Sequence, residues 1–256
     1  MTGRPFENRK DAEVPASPEE VWAAIATGPG IDSWFMGRNS VQPGPGGTVR
    51  TEFGDYAPEL EITAWDPPRR FGYRSGQAPD GRFIAYEFLV EGRAGGSTVL
   101  RTVTSGFIPG EDWEDEYEAM TLGGDLYFRT LVEYLGWFRG RFATSVTAFG
   151  PPGTRWERDR RLIFAALGLP GGGMAGGRVQ FTAPESGPAE GVLYCVNAST
   201  IGVRTPGALY RFLRGFGKPV VAAHQLFAED ADPVRAGRAW EAWLTRVLGE
   251  TEQLQH

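Results

Sequence analysis

Leu60-Glu61-Ile62-Thr63-Ala64-Trp65-Asp66-Pro67-Pro68-Arg69-Arg70-Phe71-Gly72-Tyr73 is the stretch on which the fold is read. Leu60 and Ile62 alternate with polar neighbours, the period-two pattern of a half-buried strand. Asp66-Pro67-Pro68 then stops the strand, because proline has no N–H to give to a ladder and two in succession force a tight corner between strands. The same texture continues outward. Val49-Arg50-Thr51-Glu52-Phe53 alternates; Arg82 to Val90 places Ile84, Tyr86, Phe88 and Val90 on one face; Leu100, Thr102 and Thr104 share a face of the next run. Turn signals at Pro43 to Gly47, Pro79-Asp80-Gly81 and Gly92 to Gly96 separate these runs. Short alternating runs punctuated this way predict an antiparallel meander.

The flanks supply the helices. Phe6 to Val14 reads as a first strand of mixed polarity. Ser17-Pro18-Glu19-Glu20 is a helix start, with Ser at the N-cap, Pro at the first position and Glu three residues past the cap. Val21, Trp22 and Ile25 give this helix an apolar face, Gly28-Pro29-Gly30 is expected to break it, and Ile31 to Met36 reads as a further turn or two. A long helix is predicted over Asp112 to Arg139. Along it Trp113, Tyr117, Met120, Gly124, Tyr127, Leu131, Leu135 and Phe138 recur at spacings of three and four. Glu111, Asp112, Glu114, Asp115, Glu116 and Glu118 crowd its start. They read either as paired catalytic carboxylates or as a solvated first turn favoured by the positive helix end, and the second reading is preferred.

The order strand, helix pair, strands, long amphipathic helix is a helix-grip arrangement, an α+β fold in which a curved antiparallel sheet wraps a long C-terminal helix. Three segments resemble the SRPBCC superfamily, also called START-like or Bet v 1-like. Ala16 to Ile25 is similar to its helix opening. Ile62 to Tyr73 is similar to its valine-x-x-x-aspartate-proline-proline-x-x-leucine signature. Thr104-Ser105-Gly106-Phe107 is similar to the strand ending of the branch named for the Hsp90 ATPase activator homologue. The resemblance covers about residues 5 to 142. It implies an internal cavity of the kind that binds lipids, sterols, polyketides or aromatic compounds.

Residues 143 to 256 repeat the rhythm without obvious identity. A strand is expected at Ala143 to Phe149, a helix at Thr154 to Leu167, then strands at Gly177 to Phe181, Gly191 to Val196, Thr200 to Arg204 and Val220 to Phe227. A last helix opens at Asp232-Pro233. The expected organisation is two tandem copies: a helix-grip domain over 1–142 and a diverged, shortened one over 143–256. Trp156, Phe164, Trp240 and Trp243 look like too many large rings for one small core, and are expected to serve an interface. Gly171-Gly172-Gly173-Met174-Ala175-Gly176 has the glycine spacing of a dinucleotide fingerprint. It follows a helix and leads into a strand, the reverse of what that fingerprint requires, and reads as a flexible connector.

Composition narrows the chemistry. The chain has 256 residues, 41% hydrophobic and 23% charged, with a net charge of -6. That charge argues against nonspecific nucleic-acid binding. No apolar run is long enough for a membrane span and no secretory signal is visible, so a cytoplasmic location is expected. Cys195 is the only cysteine and reads as a small core residue; the histidines are His224 and the terminal His256. Histidine triads and clustered metal ligands therefore have no residues to use. Neither metal nor cofactor is expected, and Asn197-Ala198-Ser199 reads as a chance sequon.

Candidate cavity residues are Trp34, Phe35, Phe53, Tyr73, Tyr86, Phe88, Trp113, Tyr117, Met120, Gly124 and Phe128. Gly123-Gly124 inside a helix costs up to about 1 kcal/mol per glycine relative to alanine, which points to space or close approach there. The expected function is binding of a hydrophobic or aromatic small molecule, lipid or polyketide-like, with the pocket in the first half. The alternatives are a polyketide cyclase or dehydratase, disfavoured by scarce histidine, and an Hsp90-type chaperone partner, which only the branch name implies. No catalytic residue is assigned.

Overall fold

A computed structural model describes residues 3–54, 56–111, 113–215 and 219–249. The chain forms two compact units, Met1–Phe142 and Ala143–His256.

The first unit runs β1 (Gly3–Val14), α1 (Pro18–Ala26), α2 (Gly28–Asp32), β2 (Arg38–Val41), β3 (Thr48–Glu52), β4 (Glu59–Asp66), β5 (Arg70–Arg74), β6 (Phe83–Gly92), β7 (Thr98–Pro109) and α3 (Trp113–Trp137). Its seven strands form one sheet ordered β1-β7-β6-β5-β4-β3-β2, with every neighbour antiparallel. The Asp-Pro-Pro corner joins β4 to β5, and the Pro67–Pro68 bond is cis. Ile62 lies opposite Tyr73, Tyr73 opposite Tyr86 and Tyr86 opposite Thr104, so one face carries a row of side chains across four strands.

The expected start of α1 is present. The Ser17 hydroxyl accepts from the Glu20 N–H at 3.2 Å, and the Glu20 carboxylate accepts from the Ser17 N–H at 2.8 Å. The expected break at Gly28-Pro29-Gly30 is instead the first turn of α2, which Thr27 caps by accepting from the Gly30 N–H at 3.1 Å. These glycines answer to space. A Cβ on Gly30 would sit 2.0 Å from the Ala23 carbonyl oxygen, and one on Gly28 would sit 2.5 Å from that of Asn39. The long helix ends at Trp137 rather than Arg139, and Asp112, where it was expected to begin, lies outside the described residues.

The second unit runs β8 (Thr144–Phe149), α4 (Trp156–Ala166), β9 (Arg178–Ala183), β10 (Gly187–Asn197), β11 (Thr200–Arg204), β12 (Ala208–Leu213), β13 (Val221–Leu226) and α5 (Pro233–Gly249). Its sheet is separate, six-stranded and antiparallel, ordered β8-β13-β12-β11-β10-β9. In both units the first strand pairs with the last, a helix follows the first strand, and a long helix closes the unit. The chain is thus a tandem pair of helix-grip copies, the second one strand and one short helix smaller.

Three expectations are corrected here. Strand β12 was not read from the sequence. Trp156, Phe164, Trp240 and Trp243 all belong to the second unit's own core, so the surplus of rings does not arise. The glycine connector after α4 is pinned: Gly176 donates to the Leu193 carbonyl at 2.8 Å, and Leu193 donates to Gly177 at the same distance. Asn197 Oδ1 accepts from the Ser199 N–H at 2.9 Å, shaping the β10–β11 hairpin.

Candidate functional site

The candidate residues of the first unit lie on its sheet, on α2 and its following turn, and on α3. In this 25-residue helix the buried positions are Leu126, Thr130, Leu131, Tyr134 and Leu135, all in its second half. Trp113, Tyr117, Met120, Gly123 and Gly124 are only half-buried. Opposite them the sheet shows the same partial burial, at Phe6, Asn8 and Lys10 of β1, Thr102 and Thr104 of β7, and Ile84 and Tyr86 of β6. Farther along the same strands Val14, Val90 and Leu100 are closed over. The first half of α3 is thus less deeply covered than the second.

Polar contacts hold it to β1. Asn8 Nδ2 donates to Thr121 Oγ1 at 3.0 Å, and Lys10 Nζ meets Asp125 Oδ1 at 3.5 Å with both side chains partly covered. Side chains as short as Asn8 and Thr121 meet directly, so β1 and this part of α3 lie close together. A Cβ built on Gly123 or Gly124 meets no atom within 4 Å.

Aromatic rings cluster among these residues. Tyr73 and Tyr86 face each other across β5 and β6 with centroids 5.2 Å apart, and Tyr73 and Phe88 stack at 6.2 Å with planes 26° apart. Trp34 touches Phe88 and Phe35, and Phe35 meets Tyr127 of α3 at 4.5 Å. Contacts of this kind contribute about 0.5–1.5 kcal/mol each beyond area burial, enough to hold a wall in place. Trp34 and Phe88 are each 4% exposed and act as wall rather than surface. Trp34 is further fixed by donating Nε1–H to the Ala24 carbonyl at 3.0 Å.

The Tyr73 and Tyr86 hydroxyls are the chemically informative atoms. Neither has a hydrogen-bond partner among the described residues, and neither is sealed from solvent. An unsatisfied buried hydroxyl costs about 1–3 kcal/mol, a penalty avoided where water or a ligand reaches it. Burial pushes both phenols well above their ordinary value of 10; the neighbouring Tyr86 adds to this at Tyr73, and Tyr56 and Tyr127 add to it at Tyr86. Both therefore stay protonated at any physiological pH. At the far side, Asp32 accepts from the Asn39 N–H at 2.6 Å and from Nδ2 at 2.9 Å, while Thr51 Oγ1 donates to Asn39 Oδ1 at 2.6 Å. Burial raises the Asp32 carboxyl, and the Asn39 hydrogen bonds and nearby Arg38 oppose that rise. This chain of bonds fixes α2 to β2 and β3.

Of the residues singled out from sequence, Trp34, Phe35, Tyr73, Tyr86 and Phe88 come together in one network of ring contacts. Met120, Gly124 and Phe128 lie on half-buried positions of α3. Trp113 and Tyr117 form a separate group with Phe6, and the Arg4 guanidinium lies 5.1 Å over the Trp113 ring. Phe53 pairs with Tyr56 in an isolated bridge at the end of β3. Tyr127, Phe71, Trp22 and Trp65 were missed. Phe71 contacts Tyr73 and Phe88 and links them to Trp22 and Trp65. Tyr127 is on the same helical stripe as Gly124, three residues on, and was available from that spacing.

The acidic start of α3 is a solvated turn. Glu114, Asp115 and Glu118 are exposed and Glu116 pairs with Arg82. Among the described residues no cluster of three His, Cys, Asp or Glu side chains could hold a metal, and no helix is long and apolar enough to cross a membrane. The second unit has two surface depressions. One of about 470 Å³ is bordered by Arg155, Glu157 and Arg214, and one of about 330 Å³ by Pro184, Trp243 and Arg246. Charged rims and open form distinguish both from an aromatic chamber.

An antiparallel sheet closed by a long helix is the helix-grip arrangement of SRPBCC-type proteins. Residues 15–136 match the family described as "Activator of Hsp90 ATPase homolog 1-like protein". That match lies within the first unit. No match was found among curated proteins. Solved structures similar to the chain include a Mesorhizobium loti protein, MLL2253, with 22% identity over 51% of this chain and 96% of that one (TM-score 0.44). DynU16, described as a putative protein in the dynemicin biosynthetic locus, has 18% identity over 94% and 95% (TM-score 0.43). The di-domain ARO/CYC BexL from the BE-7585A biosynthetic pathway has 12% identity over 97% and 95% (TM-score 0.45).

Proposed function

We propose that the first unit binds a hydrophobic or aromatic small molecule, lipid or polyketide-like, between α3 and the concave sheet face. The observation that carries this reading is the half-buried first half of α3, with open space at Gly123 and Gly124, above a sheet whose facing residues are half-buried to match. Transfer of apolar ligand surface from water contributes about 25 cal/mol per Å², and a ring-lined space with few polar groups suits binding more than chemistry. Catalysis is not part of the proposal. The first unit contains no histidine, and its two central phenols are held protonated, so neither acts as a base. The test is titration of full-length protein with anilinonaphthalene sulfonate, a fluorescent apolar probe. Saturable one-to-one binding that Gly124→Leu weakens at least about tenfold, with thermal stability not lowered, is expected from the energy of excluding a side-chain-sized ligand group. Binding that Gly124→Leu leaves untouched would contradict the proposal.

A further inference from the structure

A glycine inside a helix either answers to a close approach or is a weak point, and α3 has two in succession. At Gly30 and Gly28 of α2 a Cβ would strike backbone at 2.0 and 2.5 Å, so those glycines answer to packing. At Gly123 and Gly124 it would meet nothing within 4 Å. No described neighbour requires the pair, and each glycine disfavours the helix by about fivefold relative to alanine. The weak point falls where burial changes. Every buried residue of α3 lies within residues 126–135, past the pair, and none lies within residues 113–125. On the far side the helix is fixed right at the pair, because Asp125 meets Lys10 of β1 at 3.5 Å and Arg129 one turn on at 2.9 Å. On the near side each turn makes a contact or two, mostly polar. Arg4 lies 5.1 Å over the Trp113 ring, Arg82 pairs with Glu116, Tyr117 meets Phe6 edge-on at 5.8 Å, and Asn8 Nδ2 donates to Thr121 Oγ1 at 3.0 Å. Contacts that solvent reaches each contribute little, whereas an element with a buried apolar face opens only near the full stability of its unit.

We infer that residues 113–122 are a flap, which leaves the sheet and unwinds about Gly123 and Gly124 as one unit while residues 126–135 stay docked. Isolated helices shorter than about 12 residues are marginal in water, so undocking and unwinding are one event. Resting on the proposal that the first unit binds a small molecule beside this helix, the flap sets how fast that molecule enters and leaves.

Amide hydrogen exchange of the full chain, with no ligand added, tests the flap. Amides of residues 117–122 are expected to share one opening constant and to exchange at least about a hundredfold faster than those of residues 127–135. Gly123→Ala/Gly124→Ala is expected to slow the first group by at least about tenfold and to leave the second unmoved. Even protection along α3, a protection that rises smoothly from the helix start, or no slowing by the alanine pair overturns the flap. Stopped-flow binding of anilinonaphthalene sulfonate tests its control of entry. The alanine pair is expected to lower the association and dissociation rates together, each by about tenfold, because both require the open state. Slowed exchange with an unchanged association rate overturns control of entry and leaves the flap and the binding proposal standing; a raised dissociation rate, the sign of lost space, overturns control of entry as well. Absence of probe binding in the wild type overturns the binding proposal and control of entry together, while exchange alone decides the flap.

Discussion

The helices that close the two sheets bury different lengths of themselves. In α5, 17 residues long, buried positions run from Ala236 and Gly237 through Trp240, Trp243 and Leu244 to Leu248, nearly end to end. In α3, 25 residues long, they begin at Leu126. Trp240 of α5 contacts Tyr210, Phe212, His224 and Trp243, whereas α3 carries a glycine pair in its less covered half. The same topology thus buries its closing helix nearly end to end in one copy and only from Leu126 onward in the other. The difference rests on side-chain volume along one helical stripe, not on strand order.

The largest effect should come from removing volume where there is no room to spare. Trp240→Ala is expected to destabilise the second unit by about 3–5 kcal/mol, the cost of a large cavity in a close-packed core, whereas Met120→Ala in the less covered half of α3 is expected to cost less than about 1 kcal/mol. Urea unfolding followed by residue-resolved hydrogen exchange measures both. Similar losses at the two sites would erase the distinction between the units.

Adding volume should show the reverse. Gly124→Leu has space for its side chain and replaces a poor helix former, so a gain of about 0.5–1 kcal/mol is expected alongside the loss of probe binding. A large loss of stability in calorimetry would place Gly124 against a wall.

Acid separates the units next. His224 is sealed among Tyr210, Phe212 and Trp240; its Nδ1 accepts from the Arg211 N–H at 3.1 Å, and its Nε2 has no partner among the described residues. Burial, and secondarily Arg211, holds its pKa well below the ordinary 6.5. The folded unit binds fewer protons than the unfolded one between those values. The stability from neutral His224 is therefore present above pH 6.5 and is lost as pH falls below it. Hydrogen exchange at descending pH should show the second unit opening progressively. His224→Phe should flatten that dependence at the cost of the Arg211 hydrogen bond. Persistence of the same slope in the variant would assign it to other groups.

A modest effect, confined to one helix end, belongs to the first helix. Ser17→Ala removes one half of a capping box and is expected to cost about 1 kcal/mol in thermal unfolding, without altering probe affinity.

What the sequence made legible follows the same logic. Alternation exposed β3 and β4, because one face of each is wet, and β6, because its apolar side chains alternate with smaller or polar ones. Strand β12, Ala208–Leu213, is buried at all but its last position, so its residues show no alternation to read. Helix α2 was expected too late, at Ile31 to Met36, because glycine and proline read as breakers, while here the glycines permit close backbone approach and Thr27 supplies the cap. At the site, the glycine pair and the cross-strand tyrosines were visible as pattern. Tyr127 could have been added to the candidates from its spacing to Gly124, whereas the contacts of Phe71 with Trp22 and Trp65 depend on how α1 lies on the sheet, which the strand pattern does not determine.

The contrast between a less covered first copy and a filled second one is tested most directly by amide chemical-shift mapping of the full-length protein titrated with anilinonaphthalene sulfonate. Saturable shifts are expected around Tyr73, Tyr86, Gly123, Gly124 and Tyr127, with the second unit's Tyr210, His224 and Trp240 unmoved. Shifts centred on Trp240 and its neighbours, or no saturable shift in the first unit, would contradict it.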